Sequence, residues 1–349
     1  MNPTGVLKSR KRTLIATTAV AALTLGTVPA ASAAVSGGER AAASDVAAAA
    51  ALPPTKVTDF NHADPAVVQH DGTIYSYATD GSSDVRKIPV ISANSPTGPY
   101  QRLGKSLDAI PWSDGGSVMG PHVWHRGGST FHMYFTARPR GGGDRCIGVA
   151  TSTTGPTGPF RPSDNPLACD PEHNGAIDPS FFTDPGTGRN YLLYKTNGPN
   201  GIRRIWLQGL GPEGLAKQGG RTLLGARSFN YENLQLIHQA GRYFLFTSRD
   251  LYQTPDYKTT VNWSTNVAGP YPMDRAQAIM TRYNTSVAGP GGAELIRLAS
   301  GQWVAFFHGW RQDGGGCDPP RFLYVATIVW GAAGDDPHLA APNPGDAHC

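Results

Sequence analysis

The sequence predicts an all-β protein folded as a five-bladed β-propeller. Glycine and proline make up about a fifth of the 349 residues, with 43 Gly and 29 Pro. Charged residues reach only 16%, below the ~25% usual for soluble domains. An extended apolar segment followed by a turn and an aromatic-rich strand recurs five times. This composition favours short strands joined by turns and argues against a coiled coil, a charged disordered chain or a multi-span membrane protein.

The first 33 residues have the layout of a secretory signal peptide. Lys8, Arg10, Lys11 and Arg12 precede an apolar stretch at Leu14–Leu25 and small residues at Ala31–Ala33. Cleavage after Ala33 is therefore expected, with an uncleaved membrane anchor as the alternative. Residues 34–58 are rich in alanine without an amphipathic face, so we expect a linker there.

Charge excludes two classes of partner. The four basic residues of the predicted signal account for the formal net charge of +4 of the whole chain. A neutral mature chain lacks the positive field that gathers nucleic acid or anionic lipid, so neither nucleic acid nor membrane is expected as a partner.

Four cysteines, Cys146, Cys169, Cys317 and Cys349, remain in a chain that is expected to be secreted. Four cysteines allow three pairings in an oxidising compartment. We favour Cys146–Cys169 and Cys317–Cys349 because each pair shares a loop-rich neighbourhood.

The repeat begins at five similar positions. Asp64, Gly120, Asp178, Glu232 and Gly291 each open an extended segment, and successive starts lie 54–59 residues apart. A propeller blade of four strands has about this size, and radial closure leaves only short sheet edges exposed. The propeller is therefore expected over residues 59–331, followed by a C-terminal tail at 332–349, with a pair of β-sandwiches as the alternative.

Three of the five starts are acidic: Asp64, Asp178 and Glu232. If the blades radiate from one axis, equivalent positions on the innermost strands meet at a central mouth. Clustered carboxylates repel one another, so the pKa of at least one should rise, as a proton donor requires.

Several segments are similar to those of glycoside hydrolase family 43, and their order extends the resemblance over the whole predicted propeller. They are Cys146–Ser152, Ala176–Phe181, Gly289–Gly292 and His308–Trp310. The resemblance implies an inverting glycosidase with Asp64 as general base, Glu232 as general acid and Asp178 as the residue that tunes the pKa of the acid. Inversion needs about 6.5–9.5 Å between the base and acid carboxyls, to admit a water.

The chain departs from the family pattern at three places. Glu232 lacks the usual nearby proline, Met119–His122 stands where many members have Ala-Pro-Asp, and Gly292 stands where many members have a metal-associated histidine. The glycine at position 292 weakens the case for a bound ion, and we expect no metal and no cofactor. Together the three departures bear on the substrate class more than on the reaction type.

His308 and Arg321 are expected to bind substrate. The alternatives are a structural hydrogen bond for His308, and a position near an acid or a surface salt bridge for Arg321.

The sequence thus predicts a secreted, monomeric hydrolase that releases arabinofuranose from arabinan or arabinoxylan, with a polysaccharide or oligosaccharide as its partner. The alternatives are a β-xylosidase on the same scaffold and a carbohydrate-binding propeller that has lost catalysis.

Overall fold

Five small antiparallel sheets form the blades of a β-propeller, as predicted. The computed structural model describes residues 50–313, 316–334 and 336–349. The predicted signal peptide and residues 34–49 of the predicted linker lie outside the described residues. The described residues form one compact unit.

Within each blade, the first strand named lies nearest the axis, and the strands named after it lie farther out. Blade 1 contains β2 (Ala66–His70), β3 (Thr73–Tyr77), β4 (Lys87–Ala93) and β5 (Gln101–Leu107). Blade 2 contains β6 (Met119–Gly127), β7 (Thr130–Ala137) and β8 (Cys146–Ser152), and the short strands β9 (Arg161–Pro162) and β10 (Ala168–Cys169) both pair with β8. Blade 3 contains β11 (Ile177–Thr183), β12 (Asn190–Thr196), β13 (Arg203–Leu210) and β14 (Lys217–Arg227).

Blade 4 contains β15 (Tyr231–Gln239), β16 (Arg242–Arg249), β17 (Lys258–Ser264) and β18 (Gln277–Met280). Blade 5 contains β19 (Gly291–Arg297), β20 (Trp303–Trp310) and β21 (Arg321–Trp330), with β1 (Thr55–Lys56) and β22 (Pro337–Leu339) both pairing with β21. Between strands, the described residues form 3-10 turns at Pro171–His173, Pro199–Gly201 and Met273–Arg275 and one helical turn, α1 (Arg282–Thr285).

Both ends of the described chain complete the fifth blade. β1 pairs with Tyr324 and Val325 of β21, and β22 pairs with its last three residues, Ile328–Trp330. The backbone N–H of Val57 also donates to the carbonyl of Leu323, at 2.8 Å. The ring is therefore closed by hydrogen bonds between strands at opposite ends of the sequence, and both closing strands lie outside the range predicted for the propeller.

Apolar side chains pack between each pair of neighbouring blades. Five buried clusters join blades 1 and 2, 2 and 3, 3 and 4, 4 and 5, and 5 and 1. A middle strand such as β7, Thr130–Ala137, is buried along nearly its whole length because neighbouring blades cover both of its faces. This explains why the aromatic-rich strands read as apolar runs rather than as alternating patterns.

Both predicted disulfides, Cys146–Cys169 and Cys317–Cys349, are confirmed. The first links β8 to the short edge strand β10. The second holds the C-terminal residue beside Trp310, in a small apolar cluster with Ala288 and Ala347. Among the described residues, no helix has the length and apolar character that a membrane span requires.

Candidate active site

Near the start of each innermost strand, the backbone kinks at one residue whose φ lies in the left-handed region. The φ values are +52° at Asp64, +55° at Gly120, +55° at Asp178, +49° at Asn233 and +61° at Gly292. Such a conformation costs a non-glycine residue about 1–2 kcal/mol, and repeated strain of this kind clusters at functional sites. The five kinks mark the equivalent positions at the axis.

The kinks place two of the repeat starts differently from the sequence prediction. In blades 4 and 5 the equivalent residues are Asn233 and Gly292, one position after the predicted starts at Glu232 and Gly291. Glu232 instead pairs with Ser248 across its blade in the way that Ile177 pairs with Lys195. Glu232 therefore enters the mouth from the residue ahead of the kink.

The three predicted acids are nevertheless brought together. Asp64, Asp178 and Glu232, from blades 1, 3 and 4, line one cavity together with Arg145 and Arg321. Residues separated by more than 160 positions in the chain meet there because the ring is closed.

Asp64 is held in its ionised form. The Thr79 hydroxyl donates to its Oδ2 at 2.6 Å, and the Arg321 guanidinium donates to Oδ1 at 3.0 Å and Oδ2 at 3.3 Å. Burial raises the pKa of Asp64, but the nearby Arg321, His308 and Thr79 outweigh burial and bring this pKa to about 2. The carboxylate is thus negative at any ordinary pH.

His308 and Arg321 both lie at Asp64. The backbone N–H of Asp64 donates to His308 Nδ1 at 3.1 Å, and His308 Nε2 lies 3.3 Å from Arg321 Nη1. The His308 side chain is 0% exposed and stacks on Tyr257. Burial, with help from the charge of Arg321, lowers the pKa of His308 to about 3, so the imidazole is neutral. Of the alternatives raised by the sequence, these contacts match the structural hydrogen bond for His308 and the position beside an acid for Arg321.

Glu232 is contacted through both carboxyl oxygens. The Lys195 ammonium donates to Oε1 at 3.0 Å, and the Tyr257 hydroxyl donates to Oε2 at 3.0 Å. Lys195 Nζ also lies 3.9 Å from Asp178 Oδ2. One cation therefore links two of the three acids.

Asp178 has the opposite electrostatic setting to Asp64. The backbone N–H of Asn233 donates to its Oδ2 at 3.2 Å. Burial raises the pKa of Asp178 to about 6, supported by the negative charges of Glu232 and Asp64 and opposed by Lys195. Glycine is favoured at position 120 beside it, since the residue has φ +55° and a Cβ there would lie 3.1 Å from Asp178 Oδ1. With its pKa raised to about 6, the Asp178 carboxyl changes its protonation state close to neutral pH.

Four neighbours of the acids were not identified from the sequence: Thr79, Arg145, Lys195 and Tyr257. Lys195 had a detectable signal, because it is the one charged residue of the strand Asn190–Thr196, which is otherwise built mainly of Leu and Tyr. Arg145 immediately precedes the disulfide-bonded Cys146, and its buried Nε has no hydrogen-bond partner among the described residues. Thr79 and Tyr257 lie in connecting segments, where no pattern marks them.

Comparison with known proteins identifies the family of the chain. The profile of Glycosyl hydrolases family 43 matches residues 108–335. The chain belongs to this family.

Individual relatives add detail. A probable arabinan endo-1,5-alpha-L-arabinosidase B of Aspergillus fumigatus is 32% identical over 52% of this chain and 49% of its own. A probable arabinan endo-1,5-alpha-L-arabinosidase C of Aspergillus niger is 25% identical over 70% of this chain and 81% of its own. The chain thus spans about half the length of the Aspergillus fumigatus relative that it matches.

A crystal structure of a thermostable family-43 glycoside hydrolase superposes with a TM-score of 0.70 at 22% identity. The superposition covers 84% of this chain and 99% of the other. At this identity the likeness shows the shared fold.

The metal-associated histidine of many family 43 members has no room here. It would stand at Gly292, where an added Cβ would lie 2.5 Å from His308 Nδ1. The described residues also contain no group of three or more His, Cys, Asp or Glu side chains placed to hold a metal ion. The side chains of this family 43 protein therefore do not fit the family's ion, and no step of the chemistry below is routed through one.

Replacing Arg321 by Met should raise the pKa of Asp64 from about 2 toward its ordinary value of 3.8, because burial then acts without the opposing guanidinium. The ionised Asp64 stabilises the fold above pH 3.8, a contribution that is lost as the pH falls through about 2. Arg321→Met should remove this contribution. Carbon-13 NMR titration of the Asp64 carboxyl measures the change in its pKa.

The matched control is Arg140→Met, which breaks an exposed pair with Asp114. A pKa that stays near 2 in Arg321→Met would contradict the assignment.

Proposed function

We propose that this chain is an inverting glycoside hydrolase that cleaves α-1,5-linked arabinofuranosyl bonds in arabinan. The proposal assigns Asp64 as general base, Glu232 as general acid and Asp178 as the group that tunes the acid. One observation carries it: three carboxyls from three blades line a single cavity, and their environments push the pKa values of Asp64 and Asp178 apart. Such a division is how paired carboxyls take different roles.

Asp64 suits the role of base. Its carboxylate is ionised and is held on both oxygens by Arg321 and on Oδ2 by Thr79. A water between Asp64 and the sugar would attack the anomeric carbon while Asp64 takes one of the water protons. The hydrogen bonds fix the carboxylate, so little reorganisation is needed when the water arrives.

Glu232 suits the role of acid. It lies across the same cavity on blade 4, where Lys195 and Tyr257 orient its two oxygens. As the glycosidic bond breaks, Glu232 would pass its proton to the leaving oxygen, and the new hemiacetal would carry the inverted configuration. Solvent then returns the proton gained by Asp64 to Glu232, so the cycle conserves atoms and charge.

Arabinan is proposed as the substrate because both curated relatives described above are named as probable arabinan endo-1,5-alpha-L-arabinosidases. Their names favour cleavage of internal bonds over the release of single arabinofuranose units that the sequence predicts. Secretion is supported by the predicted signal peptide and by the two disulfides. We expect the polysaccharide to be the partner of a monomer.

Asp64→Asn and Glu232→Gln should each lower kcat on linear arabinan by about 10²–10⁴-fold, the usual loss when an acid or base is removed. Reducing-sugar release measures the rate, and chromatography of the products distinguishes internal cleavage, which gives oligosaccharides first, from release of arabinose. The control is Glu213→Gln, in an exposed pair with Arg126. Wild-type rates in folded variants would overturn the proposal.

Binding of arabinan by the wild-type chain without any product would favour a non-catalytic carbohydrate-binding propeller, and release of xylose from xylosides alone would favour a xylosidase.

Gly292→Ala should lower kcat/KM at least tenfold. The new Cβ would lie 2.5 Å from His308 Nδ1, and displacing that ring disturbs the Asp64 backbone that it holds. Gly128→Ala is a closely matched control, since Gly128 has φ +56° against +61° at Gly292 but nothing within 4 Å of an added Cβ. Both variants should lose stability because of the positive φ, and Gly292→Ala should lose more because of its contact with His308, as measured by urea unfolding. Equal kcat/KM values for the two would show that His308 does not position the site.

A further inference from the structure

Lys195 is a buried cation placed between two acids. Its side chain, on the second strand of blade 3, is 2% exposed. Nζ lies 3.0 Å from Glu232 Oε1 and 3.9 Å from Asp178 Oδ2. Neither the family resemblance nor any comparison assigns it a role.

Burial of an ammonium is costly unless a negative charge matches it. Two carboxyls are within reach of Lys195, but one negative charge is enough to neutralise it. The group of Lys195, Asp178 and Glu232 is therefore neutral when one carboxyl is ionised and the other keeps a proton. Proton donation from this site needs one such proton on the pair before the reaction.

Other charged or titratable groups face this cluster from several blades. Asp64 raises the pKa of Asp178, but its own charge is matched by Arg321. Tyr257 contacts Glu232, and burial raises its pKa well above the ordinary value, so it acts as a neutral donor. Arg145 interacts electrostatically with Asp178 from the β7–β8 connection. Of these groups, Lys195 is the cation in direct contact with Glu232.

We infer that Lys195 is a positioning residue that orients Glu232 for proton donation and that its charge, close to both Asp178 and Glu232, sets the upper pH limit of activity. The inference rests on the proposed function of this site. The ammonium lowers the pKa of Asp178, so it opposes proton retention and keeps the limit from moving to higher pH. The two contributions of Lys195 can be separated. Orientation of Glu232 needs a hydrogen-bond donor, whereas the pH limit depends on a positive charge.

Three variants separate them. Lys195→Met removes donor and charge, Lys195→Gln keeps a donor without the charge, and Lys195→Arg keeps both. In Lys195→Met the alkaline limb of kcat/KM should move up by about one pH unit, and kcat at the optimum should fall about tenfold or more because Glu232 is no longer oriented. Lys195→Gln should show the same shift of the limb with a smaller loss of kcat, and Lys195→Arg should keep the wild-type limb.

Lys87→Met is the matched control for loss of a buried lysine. Lys87 in blade 1 is 1% exposed, and its Nζ donates to the carbonyl of Ser82 at 2.6 Å. This variant should lose stability while the pH limbs stay in place. A reduced rate with an unmoved alkaline limb in both Lys195→Met and Lys195→Gln would overturn the inference and leave Lys195 a purely structural role.

A second measurement does not depend on catalysis. Carbon-13 NMR titration should show the pKa of the Asp178 carboxyl rising from about 6 in the wild-type chain to a higher value in Lys195→Met. If the wild-type chain hydrolyses neither arabinan nor xylosides, the proposed function fails, while a rise in this titration would still establish the effect of the ammonium. If the wild-type chain is active but the titration of Asp178 does not move, the inference about Lys195 fails by itself.

Discussion

Closure of the ring is the constraint on which the candidate site depends. Five apolar interfaces join neighbouring blades, and β1 and β22 complete the fifth blade from opposite ends of the described chain. In the closed ring, the first residues of the five innermost strands lie around the central axis. There, left-handed kinks at equivalent residues turn Asp64 and Asp178 toward the same cavity, while Glu232 enters from one residue earlier. Loss of closure would separate the acids even if each blade kept its own hydrogen bonds.

Within the cavity, charge compensation decides what each acid can do. Arg321 faces Asp64, Lys195 faces Glu232, and Arg145 interacts electrostatically with Asp178. Burial alone would favour the protonated form of every carboxyl. Asp64 stays ionised because the Arg321 guanidinium makes a close, bidentate contact with its carboxylate. Asp178 has a more distant cation, and its pKa is raised. The same cavity therefore contains one carboxyl that stays ionised, Asp64, and one whose raised pKa favours keeping a proton, Asp178.

The sequence predicted features with a repeating or enumerable pattern. Five blades followed from the spacing of similar starts, and two disulfides followed from a choice among three pairings. The starts of blades 4 and 5 are predicted at Glu232 and Gly291, one residue before the kinks at Asn233 and Gly292, because the backbone conformation that defines equivalence leaves no trace in a side-chain pattern. β1 has only two residues, and its pairing partner lies more than 260 positions away, so no local signal could assign it. Tyr257 reaches Glu232 from the segment between β16 and β17, a contact that exists only after the strands of blade 4 have come together.

The stereochemistry of the first product tests most directly whether Asp64 and Glu232 act as base and acid from opposite sides of the sugar. Proton NMR of the reaction on an α-1,5-linked arabino-oligosaccharide, recorded before the new reducing end mutarotates, identifies the anomer formed first. Attack by a water held on Asp64 predicts the β-anomer, that is, inversion. Initial appearance of the α-anomer would mean retention through a covalent intermediate and would contradict the assignment of these two carboxyls.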